Sequence, residues 1–346
     1  MKALILANGR ADRLGPLSLA APKALLPVAN RPVIWYVIQS LREAGVEEIA
    51  VTVGPRTRAI AEFVEPLGGP ACPVRCLWER RRTGTGGALR DHLGYMEGEP
   101  IVVVPADIIA GVDIRALVRQ HLAHPASVTV AVARQDPARW DGDFLVTDGP
   151  VVTEYLFKPG AGAPTTLGST GAWVVRPDVV PLIPRTGFCD FSAQVLPGLP
   201  GAGRSLGAYD AGVVYQRDVG VPQRYWQGNI EAVSGSSPAS RYLPGPSPAA
   251  PRGGATVVRG PVLIAPDVTA HPSARIYGPA VLGRGAVIGA HTSIVSSVVL
   301  PGAEVPPYSL LSGSVFGTAH HLDGALLRPD TAGRADRLVG AAGGAR

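Results

Sequence analysis

The chain has 346 residues, 46% of them hydrophobic and 6% aromatic, with a formal net charge of +5. That length holds two domains with a sizeable core, and the composition is that of an α/β protein rather than a disordered or fibrous one. No basic run or basic-aromatic cluster accompanies the positive charge, so nucleic acid is not an expected partner and small anions suit the balance at least as well.

In chain order, KALILA at the N-terminus reads as a short, continuously apolar strand of the kind buried on both faces. It runs into ANGRADRLGPLSLAAPK, a loop with the two arginines Arg10 and Arg13 and a Pro-Lys pair ending at Lys23. Val33, Ile34, Val37, Ile38 and Leu41 then fall at helical spacing, with Gly45 as a C-terminal stop. EEIAVTV (47–53), IVVVPAD (101–107) and ASVTVAVA (126–133) read as further strands. Strand-helix-strand alternation predicts a Rossmann-like, doubly wound and mostly parallel sheet. In such a sheet ligands gather at the carboxyl ends of the strands, where the loop after Ala7 and the loop at Asp107 both lie.

The character changes after residue 233, where 234–254 is rich in Ser, Pro and Gly and marks a linker. Beyond it Val258, Ile264, Ala270, Ile276, Leu282, Ile288, Ile294 and Leu300 recur every six residues, beside a small-residue series from Val262 to Val298. Gly278, Gly283 and Gly289 sit between them. That period is the hexapeptide signature of a parallel β-helix, expected over 255–318 after a catalytic domain over 1–233. The tail, 319–346, suggests at most a short helix. Cys72, Cys76 and Cys189 give neither a disulfide framework nor a metal-ligand set. ALILA is too short for a signal peptide, and no stretch reads as a membrane span, so the expected compartment is the cytoplasm, with no membrane partner.

Taken together, these segments resemble the sugar-1-phosphate nucleotidylyltransferases. The opening segment to Ile49 follows the family pattern GGxGTRLxPLTxxxPKxLLPVxNxPxIxY. ERRRTGTGGAL (79–89) looks like its base-binding segment and PAD (105–107) like its first metal aspartate. FKP (157–159) and STGAWVV (169–175) are similar to its sugar-phosphate region, and RDVGVP (217–222) to its second metal aspartate. The resemblance implies transfer of a nucleotidyl group to a sugar 1-phosphate, with pyrophosphate leaving. Catalysis then consists of positioning and charge neutralisation. It gives Arg13 and Lys23 to the reacting phosphates, Leu6, Ala7, Asn8, Gly9, Glu79, Gly84 and Thr85 to the nucleotide, Phe157, Lys158 and Gly171 to the sugar phosphate, and Asp107 and Asp218 to Mg²⁺, with no covalent cofactor. Only three of the 32 basic residues are lysines, Lys2, Lys23 and Lys158. Two of them fall on motif positions where a compact ammonium is not interchangeable with a guanidinium.

The pattern is broken at Asn8, which stands for the first glycine, and at Ala11-Asp12, which stand for Gly-Thr. Asn8 is expected to keep a left-handed turn while crowding the nucleotide, and Asp12 to repel a triphosphate. The family's glutamate before Lys158 is Phe157, which cannot accept hydrogen bonds from sugar hydroxyls. That points to a deoxy sugar or a cyclitol 1-phosphate of the kind built into aminocyclitol antibiotics. The TGTGGAL segment favours GTP, with dTTP, UTP and ATP behind it. Two other readings stand beside the enzyme: a weakened paralogue that binds nucleotide-sugar and regulates a partner, and an acyltransferase with His271 or His291 as base. Because coil ends of a short β-helix are commonly covered by another subunit, the expected state is a homodimer or homotetramer.

Overall fold

The computed structural model describes residues 1–9, 11–244, 251–253 and 256–317, together with 326–327 and 338–339. Its contacts divide the chain into two compact units. One comprises residues 1–10 and 34–216, the other residues 11–33 and everything from Arg217 onward.

The first unit is built on a nine-stranded sheet. Its strands are β1 (Lys2–Leu6), β2 (Glu48–Val53), β3 (Val74–Trp78), β4 (Ile101–Pro105), β5 (Val128–Arg134), β6 (Phe144–Asp148), β7 (Val151–Leu156), β8 (Leu167–Val175) and β9 (Leu206–Asp210). They lie in the order β3-β2-β1-β4-β8-β5-β9-β7-β6. The first four pair in parallel as expected. The sheet as a whole is mixed rather than mostly parallel, because β8 enters antiparallel between β4 and β5, and β6 and β7 form a hairpin. A connection of two residues, with Gly149 at φ +55°, leaves no room for a parallel crossover.

Continuous apolar runs place β1, β2, β4 and β5 in the core, where Ile5, Val51, Val103 and Val130 are all 0% exposed. Helix α1 (Val33–Glu43) buries Val33, Ile34, Val37, Ile38 and Leu41, and it stops at Gly45, whose φ of +82° is open to glycine without strain. Helices α2 (Arg58–Val64), α3 (Gly84–Asp91) and α4 (Ile114–Ala123) follow. The Ala106 amide donates to the Leu6 carbonyl at 3.1 Å, so the loops leaving β1 and β4 emerge side by side.

The second unit contains helix α5 (Pro222–Val233) and three short parallel sheets in the C-terminal third. Every strand pairs with the equivalent strand one coil later, as Val257–Arg259 does with Arg275–Tyr277 and then Ser293–Val295. The interior holds the predicted repeat: Ala270, Ile276, Leu282, Ile288, Ile294 and Leu300 are buried, and so are Val268, Ala274, Ala280, Ala286, Thr292 and Val298. Val258, at the open first coil, is 36% exposed. Gly278, Gly283 and Gly289 are required by stacking, since a Cβ would lie within 2.5 Å of the preceding coil's backbone at Gly278 and of the following coil's at Gly283 and Gly289.

The strict six-residue register does slip. Leu282 pairs with Val299 rather than Leu300, and Ile294 with Leu311, because the turn after Val295 is one residue shorter. The fully buried Ser297 and Ser314 fill the tightened corner, Ser314 N donating to Ser297 Oγ at 3.2 Å. The helix suggested for the tail lies largely outside the described residues, of which Leu326–Leu327 and Leu338–Val339 form two short antiparallel strands. Among the described residues no helix is long and apolar enough to cross a membrane.

Ile276 is 0% exposed inside the coils. Its replacement by alanine is expected to cost about 2–5 kcal/mol by lost transfer energy and the cavity left behind. Urea denaturation followed by circular dichroism measures this, and a loss below about 1 kcal/mol would mean that the coil interior is loosely packed.

Candidate active site

In the first unit the loop after β1 begins buried. Leu6 is half-buried, Ala7 is 7% exposed, and the Ala7 amide donates to Thr52 Oγ1 at 3.0 Å. Gly9 is exposed, with open space where a Cβ would stand. Asn8 does not take the left-handed turn expected of it, as it is not among the residues with positive φ. Its carboxamide has a better use at the end of β2. There Nδ2 donates to Glu79 Oε2 at 2.5 Å, and Oδ1 accepts from Thr57 Oγ1 at 3.3 Å. Gly54 makes room, since a Cβ on it would lie 2.9 Å from both amide atoms.

Glu79 follows β3 directly, and its amide donates to the Val53 carbonyl at 2.8 Å. The residue is only 6% exposed, and its Oε1 is buried without a hydrogen-bond partner among the described residues. Burial pushes its carboxyl above the ordinary range, against the Asn8 hydrogen bond that favours the ionised form. The next predicted positions, Gly84 and Thr85, open α3. Gly84 takes φ +83° against the Cys189 carbonyl, which also accepts from the amides of Gly86 and Gly87 at 2.9 and 3.3 Å. Thr85 Oγ1 accepts from the Phe191 amide at 2.7 Å. The amides that cap this helix are therefore spent on the segment around Cys189.

Asp107 stands half-buried at the turn after β4. Gly171 lies close to that turn: it sits with φ +79° in an irregular stretch of β8, where a Cβ would come 3.2 Å from Pro105 Cγ. Phe157 is 43% exposed, and Lys158 Nζ rests 5.2 Å from its ring centroid. Lys158 has φ +45°, an uncommon backbone for a residue with a side chain. It is held there by Asp143, whose Oδ1 accepts from the Lys158 amide at 3.3 Å while Oδ2 accepts from Tyr155 Oη at 2.6 Å. Burial raises the Asp143 carboxyl above its ordinary value, partly offset by the tyrosine hydroxyl.

In the second unit the remaining predicted residues come together. Lys23 Nζ lies 2.6 Å from Asp218 Oδ1, with Arg13 Nη2 at 3.8 Å from Oδ2. Arg224 from α5 adds a third cation, 3.7 Å from Oδ2. Lys23 and Asp218 are 13% and 18% exposed, Arg13 58%. Gly220 permits the cluster, as its Cβ would lie 2.7 Å from Lys23 Nζ. Asp107 and Asp218 belong to different units. His271 and His291 lie on the parallel coils, where His271 Nδ1 bonds Ser273 Oγ at 2.8 Å and His291 stacks on Tyr308.

Three residues that contact predicted site residues are not picked out by the sequence. Asp143 and Tyr155 carried no motif, although a Tyr three residues before Lys158 on an alternating strand was a weak signal. Arg224, six residues after Asp218, lies in the first turn of α5, and no motif marks it.

The nucleotidyl transferase family model matches residues 2–234. The chain is 29% identical over 308 residues to a mannose-1-phosphate guanylyltransferase of Mycobacterium tuberculosis, covering 88% of this chain and 80% of that one. It is 24% identical over 325 residues to mannose-1-phosphate guanylyltransferase 1 of Arabidopsis thaliana, covering 92% and 86%. Among solved structures HddC from Yersinia pseudotuberculosis shares the fold, with a TM-score of 0.54 and 19% identity over 66% of this chain and 97% of that one.

The Asp143 site yields a signed prediction. A carboxyl whose folded value is raised is protonated more readily in the native than in the unfolded chain, so it removes stability as pH rises from its ordinary 3.8 through the raised value. Tyr155→Phe deletes the hydroxyl that favours ionisation and should cost about 1–3 kcal/mol at neutral pH. Urea midpoints should show a smaller deficit below pH 3.8, where Asp143 is protonated in both states.

Proposed function

Because the chain belongs to the nucleotidyl transferase family, we propose that it joins GTP to a sugar 1-phosphate, giving a nucleoside-diphosphate sugar and pyrophosphate. The observation that carries this reading is the gathering of Lys23, Arg13 and Arg224 around Asp218, on the two segments that bear the family's phosphate and metal motifs.

The sugar-phosphate oxygen attacks the α-phosphorus in line, and two anions must be held together while charge builds on the leaving pyrophosphate. Arg13 clamps the triphosphate with its planar fork. Lys23 exchanges Asp218 for the reacting phosphate as a compact point charge. Lys158 takes the acceptor phosphate, its backbone fixed by Asp143. Asp107 and Asp218 are the residues that would hold Mg²⁺, a cation that binds through one or two carboxylates and completes its shell with substrate phosphates and water. When bound, the ion supplies charge neutralisation at the transferring phosphoryl group.

GTP is favoured by Glu79. An ionised carboxylate is a pure acceptor, and guanine offers it two adjacent donors, N1–H and the N2 amino group. Curated relatives carry the name mannose-1-phosphate guanylyltransferase. The exposed Phe157 ring beside Lys158 favours an acceptor with fewer hydroxyls to satisfy, such as a deoxy sugar or a cyclitol 1-phosphate. The C-terminal coils are read as a left-handed β-helix, and the assembly as a homodimer or homotetramer.

Pyrophosphate release is to be measured with Mg²⁺ across GTP, dTTP, UTP and ATP, each with mannose, glucose, deoxy-sugar and cyclitol 1-phosphates. Turnover is expected with GTP, falling by about a hundredfold or more in Arg13→Ala and Asp107→Asn. Nucleotide binding without release from any pair would favour the regulatory paralogue. In the same assay Glu79→Gln, whose amide oxygen would take the Asn8 donor and leave its NH2 for the base, should move preference from GTP toward dTTP and UTP, which offer that NH2 a carbonyl. An unchanged preference would remove Glu79 from base selection.

A further inference from the structure

Asn8 stands where the family pattern has glycine, and the structure shows what its side chain does. The carboxamide is seated in a notch that exists only because residue 54 has no side chain. Thr57 touches one end of it: Thr57 Oγ1 accepts from the Gly54 amide at 2.8 Å, and its one proton is shared between Asn8 Oδ1 and the Gly54 carbonyl, each at 3.3 Å, while the Glu79 carboxylate, an acceptor, turns Nδ2 toward itself. Nδ2 then occupies one carboxylate oxygen at 2.5 Å and leaves Oε1 buried and, among the described residues, unpartnered. A buried acceptor in that state costs about 1–3 kcal/mol unless a donor reaches it. Asn8, Gly54, Thr57 and Glu79 therefore form one interlocking set, each member of which makes sense only with the others.

We propose that Asn8 is a specificity-determining positioning residue, which pins the Glu79 carboxylate through Oε2 so that Oε1 is presented to a nucleobase bearing adjacent N–H donors. The proposal rests on the GTP reading above and adds how this chain, lacking the first signature glycine, enforces it. A carboxylate free to rotate could meet any base through water. A pinned one rejects bases that offer it a carbonyl or ring nitrogen, because the buried oxygen would then face another acceptor.

The set makes a reciprocal prediction. Gly54 has φ −144° and ψ −178°, a backbone that alanine adopts freely, so the nearest obstacle to a Cβ there is the Asn8 amide at 2.9 Å. Gly54→Ala should thus displace that amide and mimic Asn8→Ala, yet add nothing in the Asn8→Ala background. Dissociation constants for GTP and for dTTP, UTP and ATP, measured by calorimetry on the full chain, test this. Asn8→Ala is expected to cut the preference for GTP by about tenfold or more, the range of a hydrogen bond to a charged group. Melting temperatures show that each variant is folded.

A second readout separates positioning from mere packing. Glu79 also faces Arg82, which favours its charge, and Asp91, which opposes it. Losing the Asn8 donor leaves these unchanged, so GTP binding should fail at a higher pH in Asn8→Ala than in the native protein. Preserved GTP turnover with unaltered base preference in Asn8→Ala would overturn the proposal. Additive rather than masked effects of the Gly54 and Asn8 changes would overturn it as well. Absence of any GTP preference in the native protein would instead sink the GTP reading beneath it, and the two failures are distinguished by which protein shows them.

Discussion

One ion pair organises the second unit. Lys23 and Asp218 are 195 residues apart in the chain, yet their side chains meet at 2.6 Å in a partly buried place. Closing so long a loop costs only logarithmically more than closing a short one, but a flexible lysine stem needs its backbone fixed for the contact to persist. That fixing comes from α5 and from the short hairpin in which Pro27–Val28 pairs with Arg31–Pro32. Tyr225 Oη donates to the Pro27 carbonyl at 2.6 Å, and Asn229 Oδ1 accepts from the Ala29 amide at 2.8 Å. Ala29 and Asn30 both have positive φ, a strained pair held by these partners and by Asn30 Nδ2 donating to the Leu282 carbonyl at 3.0 Å. Trp226 Nε1 reaches the Ser296 carbonyl at 2.7 Å from the same helix. The C-terminal coils are therefore part of what aims the ammonium, not an appendage to it.

The first unit solves a different problem, that of keeping carboxylates buried at a usable charge. Glu79 and Asp143 are both pushed upward by burial, and each is given a donor that pulls the other way, an amide in one case and a phenol in the other. The donors differ in what they leave behind. Asp143 has both oxygens engaged, one by Tyr155 and one by the Lys158 amide, and so serves as a fixed strut. Glu79 keeps one oxygen without a partner among the described residues, and so is the one suited to meet something else.

What the sequence disclosed follows from the range of the physics. Buried parallel strands and six-residue coils are written in local apolar spacing, and Lys2–Leu6, Glu48–Val53, Ile101–Pro105 and the buried series from Ala270 to Ile294 were all legible in it. The antiparallel entry of Leu167–Val175 was not, because strand order is decided by contacts between distant segments. Nor was the one-residue slip at Ser296–Ser297, since Val298 preserves the apolar pattern in either register. Motif positions located Lys23, Asp218 and Glu79, yet nothing local said that the first two would pair or that Arg224 would join them.

The departures from the family pattern are the places where a motif reading was least able to foresee the outcome, and they share a logic. A substitution in a signature loop survives when its new atoms find partners outside the loop. Asn8 does so in the space above Gly54, which also explains why it has no need of a left-handed backbone. Phe157 does so by lying under the Lys158 ammonium, a contact worth about 0.5–1 kcal/mol at an exposed site. Lys158 keeps its place independently, through its own amide and Asp143, so the residue before it was free to change. Asn8 and Phe157 are thus supported by neighbours of matching size and charge, as they would be in a site that has been retuned. A decaying loop would keep the glycine gap at residue 54 only by accident, and would have no reason to fill it with an amide held at both ends.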